Sequence, residues 1–491
     1  MTNMLHTIFA HPYKKYFLAL LTIFVVSVAL RSYNLNYNSP HNDEADKIVI
    51  GRMGLFQWDW WTYNSSAWLG GSPYIYPVLT ALAYTTGGIV GSRLLNVLFG
   101  ALTLEVVFML TYELSPGRKS YRYGAGIIAA LIMAFTPISY YVSRLATYDM
   151  PSFYFFMTSI AVLCIAQQAK RNAGKYYFFA SVLLILAFLT KYVIAVYIPL
   201  LLVYSYAIAR HHDKKYQRYW FRYYVMPLFL IGGVYLYATY ETFLQFSMLQ
   251  ATKDKSALME IVGMLWFNDP LVWILWVAGS VGMFLKKQLK LWAGLTVCSL
   301  WIVLPHLLSQ RALLTLEKQT YLTVAFIAPI IGIGIMNIIS IIPRKSIQYM
   351  LVGGMVCILF IYCGISYRDS QRFNIMWSNG TPMLQTLEKT VQTDDKVLAE
   401  VGAAAILATY EKNYPLNTAT FDWFEHEGQS GEKAYVVAVK EGYFNVIELE
   451  IEKYHEEAGQ RRIYRSILSS IDQNYTRVYE ENGYFIYKRT F

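Results

Sequence analysis

Long apolar runs separated by short polar loops fill the first three quarters of the chain. A helix needs about 20 mostly apolar residues to cross a bilayer, and runs of roughly 15–22 are therefore read as spans. About eleven occur, near residues 16–30, 91–113, 124–141, 151–169, 176–190, 193–209, 223–240, 268–285, 291–308, 320–340 and 347–365. A long loop, 31–90, separates the first two. Within it, residues 44–57 alternate polar (Glu44, Lys47) with apolar positions (Ile48, Ile50, Met53, Leu55, Phe56), as in a short amphipathic helix lying on a membrane surface. Residues 73–90 are interrupted by Pro73 and Pro77 and end at Gly87-Gly88, which suits a half-inserted segment better than a span.

The pattern changes at about Tyr367. Strand-like runs (Lys396–Val401, Ala434–Lys440, Tyr484–Lys488) alternate with helical ones (Pro382–Thr390, Ala403–Lys412, Glu448–Asp472). Glu481-Asn482-Gly483 reads as a hairpin turn between Thr476–Glu480 and Tyr484–Lys488. The expected fold class is a polytopic α-helical membrane protein with a small C-terminal α/β domain. Residues 1–366 form the transmembrane domain and 367–491 the α/β domain outside the membrane.

Composition agrees. Of 491 residues, 56% are hydrophobic and 15% charged, against about a quarter charged in soluble domains. The net charge of +10 would suit a polyanionic partner, but its distribution excludes nucleic acid. Residues 1–365 hold 28 Lys/Arg and 13 Asp/Glu, while the tail holds 14 and 19. The excess cations sit in every second loop (Lys14-Lys15, Arg118 to Arg122, Lys170 to Lys175, Arg210 to Arg222, Lys286 to Lys290, Arg344-Lys345), the positive-inside pattern. It places the N-terminus in the cytoplasm and, with an odd number of spans, the tail outside a cell membrane. No small-residue cleavage site follows the first run, so an uncleaved signal anchor is expected. Cys164, Cys298, Cys357 and Cys363 all fall in apolar segments without a CxxC spacing, which indicates neither a zinc site nor a disulfide framework.

On this topology the outer ends of the spans collect the polar residues. Asp43, Glu44 and Asp46 lie in the first outer loop, Arg144 and Asp149 in the second, Lys191 in the third, and Arg311, Glu317 and Lys318 in the fifth. Acids and cations on one membrane face suit a reaction that needs a base and releases an anion. A phosphate ester fits, held by Lys and Arg through charge-assisted hydrogen bonds while an Asp takes a proton from an attacking hydroxyl. Bland readings stand beside this one. Asp43-Glu44 suits the first turn of a helix, Asp149 before Met150-Pro151 suits a helix start, Lys191 suits a snorkelling cation, and Arg93 suits an interfacial anchor. Asp46 reads as a solvated helix residue. Glu105, inside the second span, reads as a structural hydrogen-bonding acid.

The order of several short motifs resembles the fold-type-C glycosyltransferases that use polyprenyl-phosphate sugars, in particular the protein O-mannosyltransferases and the lipid A aminoarabinose transferase. The residues that carry it are Asp43-Glu44 after the first span, Ser72-Pro73-Tyr74-Ile75-Tyr76-Pro77, Ser92-Arg93 to Gly100, Arg144 to Pro151, and Leu189-Thr190-Lys191-Tyr192. They cover roughly residues 15–210; later spans and the tail match in architecture only. The resemblance implies an inverting transfer from a polyprenyl-phosphate sugar to a hydroxyl of a protein, glycolipid or cell-wall polymer outside the cytoplasm. It implies Asp43 as catalytic base with Glu44 in support, Asp149 as a second acid, and Lys191, Arg144, Arg311 and Lys318 as cations near the donor phosphate. Tyr74, Tyr76 and Arg93 would contact substrate. No metal ligand set and no required cofactor are expected; a divalent cation is left open. The aminoarabinose transferase has a Lys before paired prolines where this chain has 72–77, so here Tyr74 and Tyr76 offer only hydroxyls. A flippase of lipid-linked sugars is the alternative. It would place polar groups near the bilayer midplane rather than at one face.

Overall fold

A computed structural model of the chain describes residues 14–490 apart from 61–68, 170–171, 212–213, 252–256, 268, 306–312, 372–376, 423 and 452–457. Each apolar run contains helix, because only helices and closed barrels satisfy backbone polar groups in lipid. The longer helices are α1 (Lys14–Ser32), α2 (Asn42–Gln57), α3 (Tyr76–Leu114), α4 (Lys119–Phe135), α5 (Pro137–Arg144), α6 (Asp149–Gln168), α7 (Ala173–Thr190) and α8 (Ile198–His211). There follow α9 (Met226–Ala238), α10 (Tyr240–Ala251), α11 (Leu258–Phe267), α12 (Pro270–Leu285), α13 (Leu289–Trp301), α14 (Leu313–Ile341) and α15 (Lys345–Gln371). Among the described residues, 6 helices are long and apolar enough to cross a membrane, or up to 8 when each of two bent pairs is one span. Shorter apolar helices lie at Phe17–Ser32 and Leu289–Trp301, and length and composition alone do not reach eleven. The chain is a multi-pass membrane protein.

Both bends have a proline behind them. Between α4 and α5 the axis turns by 64°, where Thr136 is extended and Pro137 opens α5. Between α11 and α12 the angle is 81°, with Pro270 opening α12. Proline removes a backbone donor and pushes its predecessor out of the helical region, so a helix restarts there in a new direction.

The backbone divides into two compact units. The first comprises residues 1–35, 64–76 and 92–373; the second comprises 36–63, 77–91 and 374–491. In the first unit, α12 and α14 approach through glycines: a Cβ on Gly334 would stand 1.9 Å from the carbonyl oxygen of Gly279. Small residues at such crossings let helix backbones pack closely where no hydrophobic drive exists between them. Glu105 lies on α3, and its Oε1 is buried with no hydrogen-bond partner among the described residues. The hydrogen bond expected of it is therefore not made at that oxygen.

In the second unit, the tail adds α16 (Thr381–Thr390), β1 (Val397–Ala399), α17 (Ala403–Thr409), β2 (Thr418–Ala419), β3 (Glu425–His426) and β4 (Gln429–Ser430). It continues with α18 (Glu432–Lys440), β5 (Val446–Glu450), α19 (Ala458–Asn474), β6 (Tyr475–Glu481) and β7 (Tyr484–Arg489). The main sheet runs β2-β1-β5-β7-β6, with β2, β1 and β5 parallel and β7 antiparallel to both β5 and β6. Period-2 alternation separates its faces. Val397, Ala399, Val446 and Ile486 join a core with α2, α16 and α17, while Leu398, Ile447 and Leu449 join α18 and α19. The hairpin at Asn482-Gly483 forms as expected, both residues taking positive φ (54° and 83°).

Three expectations are corrected. Ala434–Lys440 is helical, because its apolar residues Ala434, Tyr435, Ala438 and Val439 recur at helical spacing on one buried face. Glu448–Glu450 belongs to a strand rather than to the helix that follows. Helix α2 forms, but Ala45, Ile48, Val49 and Met53 are buried in a protein core with α16 and α17, not laid on a membrane. The segment 73–90 is helical from Tyr76 as the start of α3, whose helical geometry breaks at Gly87 and Gly88.

Candidate functional site

The turn between α5 and α6 sets the position of Asp149. Asn96 on α3 clamps that turn, its Nδ2 donating to the carbonyls of Leu145 and of Thr147 (2.6 Å). Thr147 Oγ1 then donates to Asp149 Oδ2 at 2.8 Å, and Lys191 Nζ donates to Asp149 Oδ1. Lys191 sits immediately after α7 in extended conformation, its own N–H closing the last turn on Ala187. Asp149 is 1% exposed and Lys191 7%. The ammonium lies 5.0 Å from the ring centroid of Tyr148, a cation–π arrangement. Lys318 on α14 adds a second positive charge to the surroundings of Asp149. The structure thus pairs Asp149 with Lys191, with Lys318 near enough to act on Asp149 through its charge.

The segment before α3 is bonded to the end of α7. Ser72 N–H donates to the Leu189 carbonyl (2.7 Å), and Tyr192 N–H to that of Gly70 (2.9 Å). A Cβ on Gly71 would stand 2.3 Å from the Thr190 carbonyl oxygen, so only glycine permits the approach. Tyr74 is 38% exposed, whereas Tyr76 is fully buried.

Arg93 and Arg144 bond backbone carbonyls near the end of α1. Arg93 donates to the carbonyl of Leu35 (2.8 Å), and Arg144 to those of Tyr33 and Asn34 (2.8 and 2.7 Å). Both are buried and grip the chain where it leaves α1. Arg311 lies outside the described residues.

Asp43 and Glu44 belong to the second unit, at the start of α2. His41 Nδ1 accepts from the Asp43 N–H, and Glu44 Oε2 accepts from the His41 N–H (2.9 Å), a reciprocal capping box. Glu44 is fully buried in that role. The Asp43 side chain is 44% exposed, with Lys47 Nζ 3.9 Å away. Asp46 is not the solvated residue expected: burial pushes its carboxyl up to about 7, with Asp43 and Asp422 adding and Lys47 opposing. Among the described residues, His426, Glu427 and Glu441 are the one group of three metal-ligating side chains whose ligand atoms lie within 4.8 Å of one another.

Sequence reasoning missed Asn96, Thr147 and Arg31. The first two are uncharged residues inside motifs read for their charges. Arg31 was legible as a cation in the last turn of a span, four residues after Ser27, whose hydroxyl it bonds.

The family model for dolichyl-phosphate-mannose-protein mannosyltransferase matches residues 72–238, a stretch that holds Arg93, Arg144, Asp149 and Lys191. No curated protein matches the sequence. Among solved structures, ArnT from Cupriavidus metallidurans bound to undecaprenyl phosphate is similar with a TM-score of 0.64 at 12% identity, covering 95% of this chain and 97% of that one. The apo oligosaccharyltransferase of Archaeoglobus fulgidus gives 0.57 at 12% identity, over 97% of this chain and 74% of that one. The oligosaccharyltransferase AglB from the same organism, in complex with an inhibitory peptide and a dolichol-phosphate, gives 0.53 at 12%, over 97% and 75%. The resemblance read from the motifs therefore recurs in both the sequence family and the fold.

Proposed function

We infer that this multi-pass membrane protein of the type-C glycosyltransferase fold transfers a sugar from a polyprenyl-phosphate donor to an acceptor hydroxyl outside the cytoplasm. The observation that carries the reading is the buried Asp149–Lys191 pair inside the family match. Burying a charged pair costs desolvation that a hydrophobic contact would not, which makes such a pair a candidate for function. The similarity to a structure bound to undecaprenyl phosphate, and to another bound to a dolichol-phosphate, supports a lipid phosphate as the leaving group.

The chemistry is a single displacement. The acceptor oxygen loses its proton to Asp43 and forms a bond to the anomeric carbon, the bond from that carbon to the phosphate oxygen breaks, and the sugar inverts. Charge builds on the departing polyprenyl phosphate, which Lys191 and Lys318 stabilise. Asp149 fixes where the Lys191 ammonium sits, and Thr147 fixes Asp149. Glu44 supports Asp43 by holding the first turn of α2 rather than by exchanging protons. The acceptor is a protein, glycolipid or cell-wall hydroxyl, and the tail domain faces the same side.

Incubation of the purified protein in detergent with a labelled polyprenyl-phosphate sugar and candidate acceptors tests this. Transfer by the wild type, lost in Asp43→Asn with fold and donor binding intact, is expected. Normal turnover by Asp43→Asn removes its role as base. Absence of transfer by the wild type, with movement of lipid-linked sugar across sealed vesicles, would instead make the protein a flippase.

A further inference from the structure

The bend between α11 and α12 in the first unit encloses an acid. Asp269 directly precedes Pro270, which opens α12, and it is 4% exposed. Its Oδ1 accepts from the Tyr362 hydroxyl on α15, while its Oδ2 is buried with no hydrogen-bond partner among the described residues. Among those residues the charged group that acts on it is another acid, Asp369, and no Lys or Arg does so. The carboxylate is thus held by a neutral hydroxyl and nothing that balances its charge.

A cavity of about 10 Å³ lies against this residue, lined also by Thr320 and Thr323 of α14 and by apolar side chains such as Ile138 and Ile327. That is the space of a single water-sized guest. Thr323 Oγ1 is buried and has no partner among the described residues either. Thr320 Oγ1 donates to the Glu317 carbonyl (2.6 Å), which uses its proton and not its lone pairs. A buried charge is costly unless it is paired. Water could bridge the orphaned oxygens but brings no charge, and a divalent ion would leave one positive charge in excess. A single monovalent cation balances the site, and carboxylate and hydroxyl oxygens are the ligands that a hard cation takes. Breaks between helices in membrane proteins supply such sites, because carbonyls freed at a helix end can join the ligands. Here α11 ends at Phe267 and α12 starts at Pro270.

We propose that this cavity binds one sodium ion, ligated by Asp269 Oδ2, Thr323 Oγ1 and Thr320 Oγ1, and that the ion ties α14 to the bend between α11 and α12. Neither Asp149 nor Lys191 borders the cavity. The site therefore stands whether or not the protein transfers a sugar.

Full-length protein in detergent, exchanged from sodium chloride into choline chloride, tests this by retention of radioactive sodium and by thermal unfolding at constant ionic strength. Choline is too large for the cavity. One sodium per chain should be retained, and the unfolding temperature should rise as sodium replaces choline, since a ligand that binds only the folded state stabilises it. Asp269→Asn keeps an acceptor for Tyr362 and removes the charge, and should weaken retention by about tenfold or more, the loss expected for a charge-assisted contact. Thr323→Val removes only a hydroxyl and should weaken retention several-fold. Should Asp269→Asn not fold, Thr323→Val still decides. No retention by the wild type, retention undiminished in either variant, or an unfolding temperature that rises with acid but not with sodium, the mark of a proton on Asp269, would each overturn the proposal.

Discussion

Lys191, the first residue past α7, donates to Asp149, the first residue of α6, and both are buried. Two helix ends are thereby locked by one ion pair whose other oxygen is held by Thr147. Removing one partner of a buried pair strands a charge, at a cost of about 3–5 kcal/mol, whereas replacing both by apolar residues is often close to neutral. Lys191→Met is therefore expected to lower the thermal unfolding temperature in detergent far more than the double variant Asp149→Leu/Lys191→Met. Transfer activity should be lost in both. An equal loss of stability in the two would mean the pair is not coupled.

Asp43 and Glu44 are adjacent in sequence and differ in task. Glu44→Ala breaks half of a capping box and should destabilise the second unit by about 1 kcal/mol. Glu44→Gln, which can still accept from His41 N–H, should recover most of it. Asp43→Asn leaves the cap in place and should change activity with little change in unfolding temperature. Comparing melting curves with turnover for the three variants checks the division of labour.

That division marks the boundary of what was readable in the chain. The spans, the shift at the tail and the order of acidic and basic motifs follow from local periodicity and residue type. The use of Glu44 as a cap was an open reading that only the bonds of His41 decide. Arg144 reads as a cation near a donor phosphate from its position at the outer end of a span, and its bonds to the carbonyls of Tyr33 and Asn34 are not foreseeable from that position. No local pattern encodes a contact across more than a hundred residues. The same holds for α2, whose amphipathic spacing is identical whether lipid or a protein core covers it.

Buried acids on the sheet make the second unit sensitive to pH. Burial, reinforced by neighbouring Glu450, raises Glu448 from 4.5 to about 8, and burial raises Glu450 to about 7. Glu448 is fully buried, with its Oε2 accepting from Val401 N–H. A folded pKa above the unfolded one favours the protonated acid, so this contribution is fully present below about 4.5 and is lost as pH rises through about 8. Unfolding temperature should therefore fall between pH 6 and pH 9. Glu448→Gln, which keeps an acceptor for Val401, should flatten that fall; a profile as steep as the wild type would assign the dependence elsewhere.

Gly71 has no room for a side chain beside Thr190. Gly71→Ala should part the segment 70–72 from the end of α7, costing roughly 1–3 kcal/mol as an overpacked site. Because Lys191 follows Thr190 directly, hydrogen exchange at the amides of Ser72 and Tyr192 should quicken together. Exchange that quickens at only one of them would separate the two bonds.

The second unit is assembled from 36–63, 77–91 and 374–491, pieces that leave the ribosome at widely separated times. At about 5–20 residues per second, the interval between the second and third pieces is on the order of tens of seconds. During it, Ala45, Ile48, Val49 and Met53 have been made but the partners from α16 and α17 have not. The apolar face of α2 is therefore made well before the elements that cover it in the folded chain, and stays without them until the last quarter is translated. A nascent chain stopped before residue 374 would keep that face uncovered whatever the state of its spans.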